Sequence, residues 1–524
     1  MPDTTAEQPP KCSYPDCNLE TYQNHDKCIL HCEKSDSFNT EDERVFYQQL
    51  KNLIAKNDKR ETLHGNDFPP KYFGQNYDKS TKIIEIIEIN FPKPVNDSSN
   101  FNKLLKTIKR VEFINCQFLF PVEHTTSFTI QFSNCTFWDE VAINNAKTEQ
   151  VIENETVYDK CVFKKHVHIT ITGEIFRNKV LFRCCEFDNE VVFQDCSVFF
   201  IPFVSSDIKT VSFNKCIFDV EPFSQIYKRG NQQIPELVIS ECTFNEIVLL
   251  NPIEQLISIQ IEDSVFNKAF YMSGIAIYSN ILITNSSFSD LFEVKSSRLN
   301  HFSVINSVFK SVVSFEETVF RKVDEADTAA IFSNVTFSNY LNMKKTKFLT
   351  GLDFSDVSYS YPPVFLKTEI SSKNTDRETY RIIKHSFDSV GNHIEGNKYF
   401  AEEMRVYREE LQKTNDYAKR IAMFVNYYTS NFGQNYVCPI VLIFITIFIH
   451  SLLYYGYSND ICFPPPACLW SGLNYMFSTA LSILPFFRPE RGNEGFATLA
   501  FIFYITYSVL IYQLIIALKR LTRR

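Results

Sequence analysis

The chain has 524 residues, 44% of them hydrophobic, so it can bury a large core, and its length points to more than one domain. A net charge of −8 and a pI near 5.8 argue against phosphate binding as its main business, because nucleic-acid surfaces usually need a basic face. Fifty Phe against 13 Gly fit a stacked aromatic interior.

In chain order, residues 1–10 have no basic n-region and no apolar h-region, so no cleavable signal peptide is expected, and the stretch reads as disordered. Next come Cys12-Ser-Tyr-Pro-Asp-Cys17 and, after ten more residues, Cys28-Ile-Leu-His31-Cys32. Two close pairs of Cys and His ligands are what a tetrahedral zinc ion needs, and they let a short segment fold without a core of its own. Cys12, Cys17, Cys28 and His31 are the expected ligands of a structural zinc, with Cys32 as the alternative fourth. The spacing looks like that of small zinc-knuckle modules, here spanning residues 1–35. Disulfide pairing is the competing reading, and it falls if this end is cytoplasmic.

Residues 36–110 read as a helical and mixed cap. Thr40 to Lys56 is expected to be a helix, capped by Thr40, with Val45, Phe46, Leu50, Leu53 and Ile54 on one face. Asp58 to Ser80 reads as a loop, Ile83 to Ile89 as a strand, and Phe101 to Ile108 as a short helix. Such elements would cover the exposed first coil of a repeat region that begins at Val111.

From Val111 to Tyr359 one phrase recurs. Phe113-Ile-Asn-Cys116-Gln-Phe118 is followed by Phe132-Ser-Asn-Cys135-Thr-Phe137 and Tyr158-Asp-Lys-Cys161-Val-Phe163, and later by Phe213-Asn-Lys-Cys216-Ile-Phe218, Ile283…Ser286-Ser-Phe288 and Phe332…Val335-Thr-Phe337. Neither helical periodicity nor strand alternation explains aromatic-x-x-small-x-Phe. A solenoid over residues 111–360 does: each segment forms a flat side, turns a corner, and stacks its large residue on the copy in the next coil. Phe266 to Phe288 sets a step of about 22 residues, and longer gaps such as Phe218 to Phe244 read as corner loops or insertions. Cys116, Cys135, Cys161, Cys185, Cys196, Cys216 and Cys242 occupy the small slot, where Ser, Thr or Val stand in later copies. They read as packing residues. His166 and His168 share a strand face with no partner evident in the sequence, and read as surface residues.

These units resemble the pentapeptide repeat family, whose repeats centre on Leu or Phe with a small residue two positions earlier. The resemblance implies a mostly β chain built on a right-handed quadrilateral β-helix. Phe dominates here, and the family's Asp/Asn-Leu pairing is mostly missing.

Beyond Pro362-Pro363, residues 376–413 read as a long polar helix interrupted near Gly391 and Gly396, with Tyr380, Ile383, Phe387, Tyr399, Phe400, Met404, Tyr407 and Leu411 packing over the last coil. Residues 437–457 contain no Asp, Glu, Lys or Arg, and residues 496–518 are a second such run. Each reaches the ~30 Å of a bilayer's hydrocarbon at ~1.5 Å per residue. Lys413, Lys419 and Arg420 precede the first span, and Lys519, Arg520, Arg523 and Arg524 end the second. This puts both termini in the cytoplasm; Arg488 and Arg491, offset by Glu490 and Glu494, are a mild contrary signal. Cys462 and Cys468 then face the oxidising side and are the expected disulfide.

Between the spans, residues 469–487 have the length of a re-entrant pore helix. The tail from 376 resembles bacterial pentapeptide repeat proteins with a potassium-channel-like C-terminal region, which implies a bacterial inner-membrane protein. The filter motif is absent: Ser478, Thr479, Ala480, Leu481, Ser482 and Pro485 stand where Gly-containing backbone is needed, so potassium selectivity does not carry over.

The expected function is a cytoplasmic β-helix scaffold, held in membrane lipid by two spans and binding an unidentified protein partner. The alternative is an ion-channel-like homo-oligomer with another or a degenerate selectivity. A DNA mimic like the gyrase-protecting pentapeptide proteins is a third reading. Catalytic and cofactor residues are not expected: no phosphate loop, Ser/His/Asp order or zincin pattern occurs, and the carboxylates are scattered.

Overall fold

The computed structural model describes residues 10–57, 84–93, 99–108, 110–322, 328–458, 474, 476–478 and 497–522, except 16, 35–37, 126–128, 145–155, 171–179, 199–202, 205, 224–234, 251–256 and 275–278. Several expectations fall outside these residues: the disordered start up to residue 9, the Asp58–Ser80 loop, the Cys462–Cys468 pair, the middle (224–234) of the Phe218–Phe244 gap read as a corner loop or insertion, and Thr479, Ala480, Leu481, Ser482 and Pro485. The chain forms a parallel β-solenoid of about 9 turns followed by helices. It divides into two compact units, Met1–Val323 with Asn334–Asn339, and Asp324–Ser333 with Tyr340–Arg524.

In the first unit, short strands pair in parallel with their copies one turn on. Phe113 aligns with Phe132, Phe118 with Phe137, Phe163 with Phe187, and Phe266 with Phe288. Equal positions therefore stack. Phe91, Phe118, Phe137, Phe163 and Phe187 form one column with centroids 4.7–4.9 Å apart. Phe113, Phe132, Tyr158 and Phe182 form a second at 4.8–5.1 Å. Rings of neighbouring columns meet edge to face, as Phe118 and Phe132 do. At Phe193 the aromatic phrase moves onto a side that earlier coils fill with Val and Ile, since Phe193 aligns with Ile169 and Phe213. Phe218, Phe244, Phe266, Phe288, Phe309 and Phe337 then stack at 4.2–5.2 Å. Each stacked pair adds about 0.5–1.5 kcal/mol to its burial.

The small slot does more than fill space. Its seven Cys are buried, and each thiol donates to a carbonyl of the coil before: Cys116 to Ile86, Cys135 to Phe113, Cys242 to Phe213, at 3.3–3.4 Å. In later coils Ser does related work, the Ser264, Ser286 and Ser307 hydroxyls accepting the amides of Cys242, Ser264 and Ser286 at 3.0–3.1 Å. A buried carbonyl or amide at a corner needs such a partner, which explains why Cys, Ser and Thr fill the slot.

One residue before the slot, the chain turns through the left-handed region. Asn115, Asn134, Lys160, Lys215, Glu241, Asp263, Asn285 and Asn306 all have φ of 49–54°. This conformation costs an L-residue about 1–2 kcal/mol. It persists because corner amides reach the next coil, as Lys215 does to the Ser240 carbonyl at 3.0 Å and Glu241 to that of Glu262 at 3.0 Å.

Two helices cover the first coil. α1 (Thr40–Asn57) and α2 (Ser99–Thr107) bury Phe46 and Phe101 against Phe91 at 5.7 and 5.5 Å. The cap of α1 is Asn39 and not Thr40: the Asn39 side-chain oxygen accepts the amides of Glu41 and Asp42 at 2.9 and 3.0 Å, which leaves Thr40 as the first helical residue. The Asp42 carboxylate accepts the Asn39 amide in return.

In the second unit, the strand Leu352–Tyr359 meets α3 (Arg377–Ser389), which is capped by Asp376. Thr375 and Thr379 hydroxyls accept the Leu352 and Phe354 amides at 3.1 and 2.8 Å, closing edge donors that would otherwise be open. α4 (His393–Gln412) follows a break at Gly391, whose φ is 76°. Gly396, expected at an interruption, lies inside α4. A Cβ there would come within 2.6 Å of Asp388, so it marks the close approach of α3 and α4. Tyr380, Ile383, Phe387, Tyr399 and Leu411 are buried, whereas Phe400 and Tyr407 carry Lys384 and Arg377 over their rings. α5 (Tyr417–Ser430), α6 (Val437–Ser458) and α7 (Ala497–Thr522) complete the unit.

Phe244→Ala, between rings at 4.2 and 4.5 Å, is expected to lower unfolding stability by about 3–5 kcal/mol in urea titrations followed by circular dichroism. At the corner, Lys215→Val is expected to be less stable than Lys215→Gly by about 1–2 kcal/mol in the same titration.

Candidate metal centre

The N-terminal module starts with an antiparallel bridge between Lys11 and Glu20. The Cys12 amide donates to the Leu19 carbonyl, and the Cys17 amide closes a turn onto Tyr14. A single helical turn, with the His31 and Cys32 amides both on the Cys28 carbonyl, presents Cys28 and His31 on one side. The two turns meet so that the ligand atoms of Cys12, Cys17, Cys28 and His31 all lie within 4.8 Å of one another. This cluster could hold a metal ion.

Its edges allow a test of fit. Cys17 and Cys28 sulfurs are 3.7 Å apart, and His31 Nδ1 lies 3.6 Å from Cys12 Sγ and 3.3 Å from Cys28 Sγ. A tetrahedral site with bonds of about 2.3 Å to sulfur and about 2.0–2.1 Å to nitrogen has edges of about 3.8 and about 3.5 Å. The residues fit. The Cys32 thiol instead approaches the Ile29 carbonyl at 3.8 Å and Lys34 Nζ at 3.5 Å. Adjacent on the same turn, Cys32 and His31 were not separable by spacing alone.

The electrostatics favour a cation in the middle. Burial pushes the Cys28 thiol up to about 12 and raises that of Cys17, whereas Cys12, against its own burial, is lowered by the hydrogen bonds it receives from the Cys28 and Tyr14 backbone, so two of the three sulfurs resist ionising without a positive charge beside them. Burial also holds His31 below its usual range, helped by the Lys34 charge, which keeps the imidazole neutral with a lone pair to offer. Around the cluster, the Tyr14 ring stacks on His31 at 4.2 Å, and the Cys28 amide donates to Cys12 Sγ at 3.2 Å. These supporting groups carry no motif that sequence reading could find. Ile29 and Leu30 are buried, and the Asn90 amide, in the first coil, donates to the Leu30 carbonyl at 3.2 Å. The Cys/His module is thereby fastened to the start of the solenoid.

His166 and His168 are partly exposed with ring centroids 6.1 Å apart. Glu190 lies 4.0 Å from His166, a neighbour that the sequence hides because it comes from the next coil.

Two helices are long and apolar enough to cross a membrane, Val437–Tyr454 and Thr498–Thr522, each with 22% of its window buried. Ile447 and Tyr507 pack together between them with Ile443, Phe503 and Met476. His450 is buried beside Tyr507, its Nδ1 3.5 Å from the phenol oxygen. Of the pore-like segment, Ser478 is described, exposed on a short helical stretch. Comparison with known proteins matches the chain to no family model, no curated protein and no solved structure.

Proposed function

We propose that this protein is a membrane-anchored interaction scaffold, a right-handed quadrilateral β-helix on the cytoplasmic side, held by α6 and α7 and closed at its start by a structural zinc module. The observation that carries the reading is the pair of apolar helices whose windows are only 22% buried. A core helix of a soluble protein hides its surface, whereas these offer Val441, Phe444, Ile445, Phe448, Phe501 and Ile502 outward, as lipid contact requires. Lys519 and Arg520 in the last turn of α7 favour a cytoplasmic C-terminus. The solenoid's contribution is a long face of partly exposed side chains for a protein partner.

A second reading, an ion-channel-like oligomer, has its own support. Met476, from the segment between the spans, packs against Ile447 and Tyr507, both about midway along their helices. The Ser451 hydroxyl lies 3.4 Å from the Met476 carbonyl. A connecting segment that reaches mid-span is what a re-entrant pore element would do.

Zinc is the metal favoured by three thiolates and one imidazole in tetrahedral array, and a full ligand set fits a structural role. The purified protein is expected to carry a single zinc ion by elemental analysis. Cys28→Ser should abolish it and Cys32→Ser should retain it. Because the Cys28 thiol must lose a proton held up to about 12, zinc affinity should rise with pH, read by competition with a chromogenic chelator.

The anchor is tested by alkaline carbonate extraction of membranes. The full chain should stay in the pellet, and a chain ended at Asn415 should move to the supernatant. Planar-bilayer recording of the full chain separates the two readings: unitary currents lost on the same truncation would favour the pore.

A further inference from the structure

α5 is amphipathic the wrong way round for a helix in water. Its polar residues Asn426 and Ser430 face inward to α7: the Ser430 hydroxyl donates to Gln513 Oε1 at 2.8 Å, and Gln513 Nε2 donates to Asn426 Oδ1 at 2.5 Å. Tyr417, Ile421, Phe424 and Tyr428 point the other way, 68%, 65%, 58% and 57% exposed. At 100° per residue these four fall in a sector of about 60°, opposite the pair that bonds Gln513. An apolar stripe left outward while polar groups are turned inward needs a non-aqueous neighbour.

Continuity identifies that neighbour. Ser430 is buried, and Asn431, Phe432 and Gly433, with φ of 48°, 54° and 79°, reverse the chain there. α6 then starts at Val437, and its Cys438 thiol donates to the Tyr428 carbonyl at 3.3 Å. The outward face of α6 begins at once with Val437, Val441 and Phe444. α5 is itself too short to span: its 14 residues reach about 21 Å against the ~30 Å of hydrocarbon. Tyr and Phe along one side, with Lys419 and Arg420 in the first turn, are the composition of a helix lying in the headgroup region.

We infer that α5 lies in the plane of the membrane surface, its Tyr417–Ile421–Phe424–Tyr428 stripe set into the headgroup–acyl boundary of the leaflet where α6 begins. The inference rests on the membrane reading of α6 and α7. It adds a second, shallow attachment beside the spans, which would hold the α4–α5 junction at the bilayer surface.

The test uses the full chain in phosphatidylcholine vesicles, with both native tryptophans, Trp138 and Trp470, changed to Phe. A single reporter is then placed by Phe424→Trp on the stripe or by Phe444→Trp on the outer face of α6; Ile421→Trp is the second stripe variant should the first not fold. Vesicles carry bromine on the acyl chains either near the headgroup or near the chain ends. The expected result is loss of stripe fluorescence chiefly with shallow bromine, and of Phe444→Trp fluorescence chiefly with deep bromine. Quenching at position 444 without quenching at the stripe overturns this inference alone. Unquenched stripe emission that is blue-shifted would mean that protein, such as a second copy, covers the stripe, and unshifted emission would mean water does. Quenching at neither position overturns the membrane reading, and the inference falls with it.

Discussion

Everything in the solenoid depends on equal residues standing over equal residues. A parallel ladder places each ring on its copy one turn away, so a single well-packed coil is repeated at little extra cost in specification. The same rule makes the ends costly. A first or last coil has rings with nothing stacked on them and backbone donors with no strand to receive them. The chain answers this locally. At the start it lays Phe46 and Phe101 over Phe91 and fastens a Cys/His module through Asn90 and Leu30. In the second unit, two threonine hydroxyls take the place of the strand that would have followed Leu352–Tyr359.

The repeat was readable because large and small residues recur at fixed spacing, and spacing is a property of sequence. The corner conformation was not. Left-handed residues are usually announced by Gly, but here the corners are held by Asn, Asp, Lys and Glu, and carbonyls of the next turn, accepting the corner amides, stabilise a conformation that spacing does not announce. The slot was half readable. Its size was plain from Cys, Ser, Thr and Val, but its hydrogen-bonding duty appears only when the facing carbonyl of the previous coil is seen. Cap placement failed by one residue, since Asn39 and Thr40 are both good caps and only the side-chain oxygen's reach separates them.

The Cys/His cluster was legible as a group that could hold a metal because close pairs of soft ligands are rare by chance. Its orientation was not, since residues 28, 31 and 32 sit on one turn and spacing permits either fourth ligand. The tail followed the same pattern. Two charge-free runs are visible at once, but neither the seating of Met476 midway along them nor the inverted polarity of α5 can be read without knowing which helix faces which.

The buried thiols have a consequence beyond packing. Cys116, Cys135, Cys161, Cys185, Cys196, Cys216 and Cys242 mark successive stages of the solenoid, each sealed from solvent, while the coils around Ser264, Ser286 and Ser307 carry hydroxyls instead. The chain is thus graduated like a ruler over its first part and left blank over the next. A thiol-specific reagent, with the modified sites read by peptide mapping, would show how far and from which end the stack has come apart, turn by turn. Opening confined to the serine coils would pass unmarked.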